Sequence, residues 1–159
     1  MTVDVMGNHT ASAAGADQPT AGSWDKQIDL PSERGASRMI MEELLNHLGV
    51  YNWSPSDIFA IHLAVEEAIV NAIVHGNKLD PAKKVRVCCS VSAELVRVEI
   101  TDEGHGFKPQ DVPDCRLQER LEVPSGRGVL LMRTFMTQIA YNARGNSVLL
   151  EKQRSAPAD

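Results

Sequence analysis

The sequence predicts an α/β two-layer sandwich, a mixed, mostly antiparallel sheet of about five strands covered on one face by about three helices. Three observations carry this. Apolar residues recur at helical spacing between Ser54 and His75, and two stretches, Val85 to Val91 and Glu94 to Asp102, alternate at strand spacing across a short Ser92-Ala93 connection. A second alternating pair, Thr137 to Ala143 and Ser147 to Gln153, follows a helical stretch opening at Gly126. The 159 residues suit one domain with a real hydrophobic core.

In chain order, residues 1–23 are rich in Ala, Gly, Ser, Thr and Asp and are expected to be a disordered tail. The ordered domain is expected over 24–153. Trp24, Lys26, Ile28 and Leu30 alternate with Asp25, Gln27 and Asp29 as in an edge strand. Pro31-Ser32 introduces a helix to about Leu48, with Met39, Ile40, Glu43, Leu44 and Leu48 on one stripe and Gly49 as its stop. The next helix is capped by Ser54 or Ser56 and ends at Gly76-Asn77. Its apolar residues form two sectors, one with Ile58, Ile61, Val65, Ala68, Ile69 and Ala72, the other with Leu63, Val70 and Val74, so it is expected to be largely buried. Phe107 to Ser125, with three prolines and a short helix around Asp114 to Leu121, is expected to be a lid-like loop. Residues 154–159 are expected to fray.

Composition narrows the partners. Sixteen Lys and Arg against twenty-one Asp and Glu give a net charge of −5 with dispersed basic residues, which points away from nucleic acid and anionic membrane. The sequence reading finds no apolar run near the roughly 18–20 residues that span a bilayer and no signal-like N-terminus, so the expected location is cytoplasmic. Of the three cysteines, neighbours Cys88 and Cys89 point to opposite sheet faces and Cys115 is distant, which argues against a disulfide framework or a zinc site.

The polar residues that break these patterns define a candidate site. Glu67, Asn71 and His75 fall at i, i+4 and i+8 in a polar row between the two apolar sectors. A carboxylate buried there needs a cavity, a cation or a partner. A surface Glu67 paired with a Lys or Arg fits the same spacing. Asp102 ends the core-facing row of Val96, Val98 and Ile100, and Gly104 and Gly106 after it allow a sharp turn and close approach of a ligand to the backbone. An ordinary Asp-Gly turn fits that string as well. Gly126-Arg127-Gly128 opens the third helix, whose free N–H groups suit phosphate.

Taken in order, Glu67-x-x-x-Asn71 on a buried helix, Asp102-x-Gly104-x-Gly106 after a strand, a variable loop and Gly126-x-Gly128 at a helix start resemble the GHKL (Bergerat-fold, histidine-kinase-like) ATP-binding family. Within it, the chain is similar to the small anti-sigma-factor serine/threonine kinases. The resemblance spans about Trp24 to Gln153. Leu63 to Ala72 look like the family's N box, Asp102 to Gly106 its first glycine box and Gly126 to Gly128 its second. It implies Glu67 as the general base, Asn71 as the Mg²⁺ ligand and Asp102 as acceptor of the adenine amino group of ATP. It further implies Gly104 and Gly106 beside the base, and Gly126, Arg127 and Gly128 at the phosphates. His75 lies near the phosphates as a helix-end residue, His105 occupies a variable slot, and Arg116, Arg120 and Arg127 are candidates for contacting the transferred phosphate.

The function so implied is phosphorylation of an anti-anti-sigma (STAS-type) antagonist combined with sequestration of an RNA polymerase sigma factor by a homodimer. The alternative is a nucleotide-gated sequestering protein without significant kinase activity, which keeps the pocket and not the chemistry. A sensor histidine kinase is disfavoured because no dimerisation helices with a phosphoacceptor His precede the domain.

Overall fold

A computed structural model describes residues 22–106 and 126–157 of the chain. Of the tail expected over 1–23, residues 1–21 lie outside the described residues and Ser23 already belongs to the first strand; the lid over 107–125, with Cys115, Arg116 and Arg120, also lies outside them. The elements run β1 (Ser23–Pro31), α1 (Arg38–Val50), α2 (Pro55–Val70), a π-helical extension of α2 (Asn71–Gly76), β2 (Lys84–Ser92), β3 (Leu95–Thr101), α3 (Gly126–Phe135), β4 (Gln138–Tyr141) and β5 (Ser147–Gln153).

The five strands form one sheet in the order β1-β2-β3-β5-β4. Every described pairing is antiparallel, so the parallel component of the expected mixed sheet is not found among the described residues. Alternation fixes which face is covered. Trp24 and Leu30 of β1, Val85, Val87, Cys89 and Val91 of β2, Val96, Val98 and Ile100 of β3, and Val148 and Leu150 of β5 are all buried. They meet Ile40, Met41, Leu44 and Leu48 of α1 and Ile61, Ala64, Val65, Ala68 and Ile69 of α2 in one core. Asp25, Gln27, Asp29, Arg86, Arg97 and Glu99 on the opposite parity are exposed, which leaves the outer face to solvent. Cys88 and Cys89 point to opposite faces as expected, and both are free thiols.

Several expectations change. Helix α1 begins at Arg38 rather than at Ser32, because residues 32–37 are taken up by turns in which Gly35 adopts φ +86°. Its stripe is Ile40, Met41, Leu44 and Leu48, while Met39 is exposed. Helix α2 starts at the first of the two candidate caps: the Ser54 hydroxyl accepts the Asp57 N–H at 3.1 Å. Its first apolar sector is buried apart from the half-buried Ile58, but Val70 of the second is 37% exposed and Leu63 and Val74 are half-buried, so the helix has one covered face and one open one. With its extension, α2 spans 22 residues, Pro55–Gly76, long and apolar enough to cross a membrane, against the sequence reading that no run reaches this length; half of its most apolar window is buried inside the domain.

The C-terminal segment is also held rather than frayed at its start. Arg154 donates to the carbonyls of Tyr51, Asn52 and Ala93 and lies 4.8 Å over the Trp53 ring. Ser155 donates its hydroxyl to Asp57 Oδ1 at 2.6 Å and its N–H to Oδ2 at 3.0 Å. Asp57 is thereby 2% exposed yet satisfied.

Candidate functional site

The site forms where α2 changes its winding. From Asn71 the helix widens to π geometry, and the Asn77 N–H reaches the Ala72 carbonyl five residues back at 2.8 Å. Such segments recur at functional sites because they re-aim side chains within an otherwise regular helix. Here the change falls on the polar row itself: Glu67 is still α-helical, Asn71 opens the wider stretch, and His75 is carried off the regular i+8 line.

The two adjacent glutamates separate by partner. Ser37 Oγ, just ahead of α1, donates to Glu66 at 2.9 Å to either carboxylate oxygen. Glu67 instead faces α3, where a Cβ built on Gly128 would stand 2.4 Å from its Oε2. Gly128 is therefore what lets the start of α3 lie against this carboxylate. Burial raises the Glu67 pKa, opposed by the charge of His75 and reinforced by that of Glu66. Tyr141 of β4, which sequence reading did not single out, also belongs here: burial pushes its phenol up to about 12, opposed by Arg133, and the Glu67 charge adds to the rise.

Asn71 lies one helical turn on. It is 8% exposed, and its Nδ2 is buried with no hydrogen-bond partner among the described residues. An orphaned amide of this kind costs about 1–3 kcal/mol unless a bound group satisfies it.

At the far end of the extension, the helix meets the glycine-flanked Asp102. A Cβ on Gly76 would lie 2.3 Å from Asp102 Oδ2, and a Cβ on Gly104 would lie 2.0 Å from the Gly76 carbonyl oxygen. The two glycines thus bring backbone against backbone beneath the carboxylate. Gly106 adopts φ +86°, and a Cβ there would meet the Arg144 carbonyl at 1.9 Å. Asp102 accepts the Gly104 N–H at 2.8 Å, and its own backbone is tied to Asn146 through both N–H and C=O at 2.9 Å. Burial raises its pKa to about 6, opposed by the Gly104 hydrogen bond and by Arg144 and Lys83. This is a carboxylate kept dry but under-compensated, suited to receiving a donor from a ligand.

The geometry therefore brings Glu67, Asn71 and Gly128 to one part of the helix and Gly76, Asp102 and Gly104 to the other, joined by the π-helical turn. Gly76 was read from sequence only as a helix stop. Its signal was its position directly after the polar row. His105 is exposed on the loop. Gly126 begins α3, while the side chain of Arg127 lies outside what is described. Among the described residues no group of three or more His, Cys, Asp or Glu is placed to hold a metal. A divalent ion here would take the Asn71 side-chain oxygen together with oxygens of a ligand, the mode that suits Mg²⁺ on phosphates, while the buried Nδ2 would donate to a ligand oxygen. The orphaned amide and the glycine cradle fit a Mg²⁺-nucleotide.

Comparison with known proteins bears on the family and the fold. Residues 30–152 match the model of the histidine kinase-like ATPase domain. The chain is 31% identical over 106 residues to an anti-sigma F factor of Oceanobacillus iheyensis, covering 62% of this chain and 71% of that protein. It is 29% identical over 103 residues to the anti-sigma F factor of Geobacillus stearothermophilus, covering 60% and 69% respectively. In fold it is similar to the crystal structure of the RsbU and RsbW domains of Rv1364c from Mycobacterium tuberculosis, with a TM-score of 0.58 and 22% identity over 84% of this chain, a match that spans only 33% of that longer chain.

Proposed function

This chain belongs to the histidine kinase-like ATPase domain family, and from that premise we propose that it is an anti-sigma regulatory factor acting as a serine/threonine-protein kinase on an anti-anti-sigma (STAS-type) antagonist. The observation that carries the chemistry is the placement of Glu67: a half-buried carboxylate of raised pKa, aimed at the glycine-opened start of α3 while its neighbour Glu66 is occupied by Ser37.

In this reading Asp102 accepts the adenine amino group of ATP, Gly76 and Gly104 let the base lie on the backbone, and the first turn of α3 presents amides to the phosphates. The Asn71 side-chain oxygen would help hold Mg²⁺, which would supply charge neutralisation at the phosphates. The partner's Ser or Thr hydroxyl gives its proton to Glu67 as its oxygen bonds to the γ-phosphorus; the bond from that phosphorus to the bridging oxygen breaks and ADP leaves. Burial raises the Glu67 pKa, which makes its carboxylate a stronger base. Positioning supplies most of the acceleration.

The relatives' printed name, anti-sigma F factor, supports the regulatory half of the proposal, sequestration of a sigma factor, and the location this reading expects is the cytoplasm. The β1 edge of the sheet is the surface on which a second copy would add to make a homodimer. The deciding experiment incubates the protein with γ-labelled ATP, Mg²⁺ and each STAS-domain protein of its host in turn. Label on a Ser or Thr of one of them is the expected result. ATP binding with no label on any of them would move the assignment to a nucleotide-gated sequestering protein.

A further inference from the structure

We infer that Asn77 is a positioning residue that sets the depth of the Asp102 carboxylate in the nucleotide site, acting through the backbone N–H of Glu103. This deepens the proposal above and rests on it only for the identity of the ligand. Asn77 follows the π-helical extension and is 1% exposed. Its Oδ1 accepts the Glu103 N–H at 2.7 Å, and its Nδ2 donates to Ser32 Oγ at 2.9 Å and to the Lys84 carbonyl at 3.0 Å. Ser32 Oγ in turn donates to the Lys83 carbonyl at 2.6 Å. One buried amide thus ties the end of the helix, the turn after β1, the start of β2 and the loop after β3.

The direction of its influence follows from the chain. Gly76 and Asn77 are consecutive, as are Asp102 and Glu103. The first of each pair meets the other at contact distance, where any Cβ on Gly76 would overlap the Asp102 carboxylate. The second of each pair is hydrogen-bonded. The steric contact prevents Asp102 from moving inward, and the Asn77 bond prevents the loop from lifting outward. On the opposite side Asn146 and Arg144 hold the same loop through the Asp102 backbone and the Gly104 carbonyl. A short hydrogen bond made by a buried amide is expensive to leave unmade, so Asn77 is not interchangeable with a residue that merely fills the space.

The test uses the full chain and two readouts that a loss of stability alone would not move. The first is the ¹³C-carboxyl titration midpoint of Asp102 without nucleotide, with Arg144 and Lys83, the charged groups acting on it, left intact. The second is the ratio of dissociation constants for ITP and ATP, which differ at the amino group. In Asn77→Ser, whose hydroxyl is too short to reach Glu103, we expect the midpoint to fall towards the ordinary aspartate range and the ITP/ATP ratio to drop by about ten-fold. Should Asn77→Ser not fold, Ser32→Ala, which removes one partner of the Asn77 amide, decides on the same readouts with smaller shifts in the same direction. A lowered melting temperature with both readouts unchanged would reduce Asn77 to a structural residue and overturn the inference. Failure of the wild type to bind ATP would instead overturn the nucleotide assignment, and the Asp102 midpoint would still decide the positioning role.

Discussion

The two ends of helix α2 treat buried polar groups in opposite ways. At the N-terminal end Asp57 is buried but surrounded: burial pushes its pKa up, and the two Ser155 hydrogen bonds, Lys152 and Ser54 outweigh that and hold it below the usual aspartate value. At the C-terminal end, Glu67 is raised by burial, the Asn71 amide is orphaned, and the nearby Asp102 sits at about 6. One end is complete within the protein. The other leaves a buried donor without a partner among the described residues. That contrast separates a structural polar cluster from a functional one, because a native fold rarely leaves buried polar groups unsatisfied without a use for them.

The sharpest way to break the comparison is at Glu67. Glu67→Gln should leave ATP affinity within about two-fold while phosphoryl transfer falls about 10²- to 10⁴-fold, read by calorimetric titration and by label transfer. Next in size is the pH dependence of stability. Asp102, with a folded pKa near 6 against an ordinary 3.8, contributes stability that is full below the unfolded value and lost as pH rises through 6, at most about 3 kcal/mol. Asp102→Asn should remove that decline in urea melts between pH 4 and 7. Asp57 has the reverse sign, its contribution present above pH 3.8 and lost on acidification through its lowered folded value.

Asp57→Ala should cost about 2–3 kcal/mol of stability, leaving Ser155 and Lys152 unpaired, without changing nucleotide affinity in samples that remain folded. Gly128→Ala should do the opposite. The atom that its Cβ meets is the flexible end of Glu67, so the melting temperature should hold while transfer drops about ten-fold, as the base is pushed aside. The smallest effect is expected for Arg154→Ala, about 1 kcal/mol from the lost Trp53 contact and carbonyl bonds, visible in denaturant midpoint alone.

Strand alternation around Val96, Val98 and Ile100 and the Glu67-Asn71 spacing were legible in the sequence because each is written locally, in periods of two and of four. What was not legible is long-range or a matter of winding. Ser155 reaches Asp57 across 98 residues and Asn77 reaches Ser32 across 45, contacts that no local pattern encodes. The switch to π geometry at Asn71 has no periodic signature over six residues. Helical periodicity identified two apolar sectors on α2 but not which of them the sheet would cover, and Val70 proved to lie on the open side. Tyr141 enters the surroundings of Glu67 only because β4 closes the sheet edge beside β5.

The meeting of Gly76 and Gly104 has a consequence for how this protein can change over generations. The two positions are linked in series, since a methyl group on Gly104 would strike the Gly76 carbonyl and one on Gly76 would strike the Asp102 carboxylate. A side chain at Gly104 meets backbone and cannot be accommodated without moving the loop, and one at Gly76 displaces the Asp102 carboxylate. In a saturation library selected for nucleotide binding, these two positions should stand blank together, a paired constraint on descent that neither strand nor helix would impose by itself.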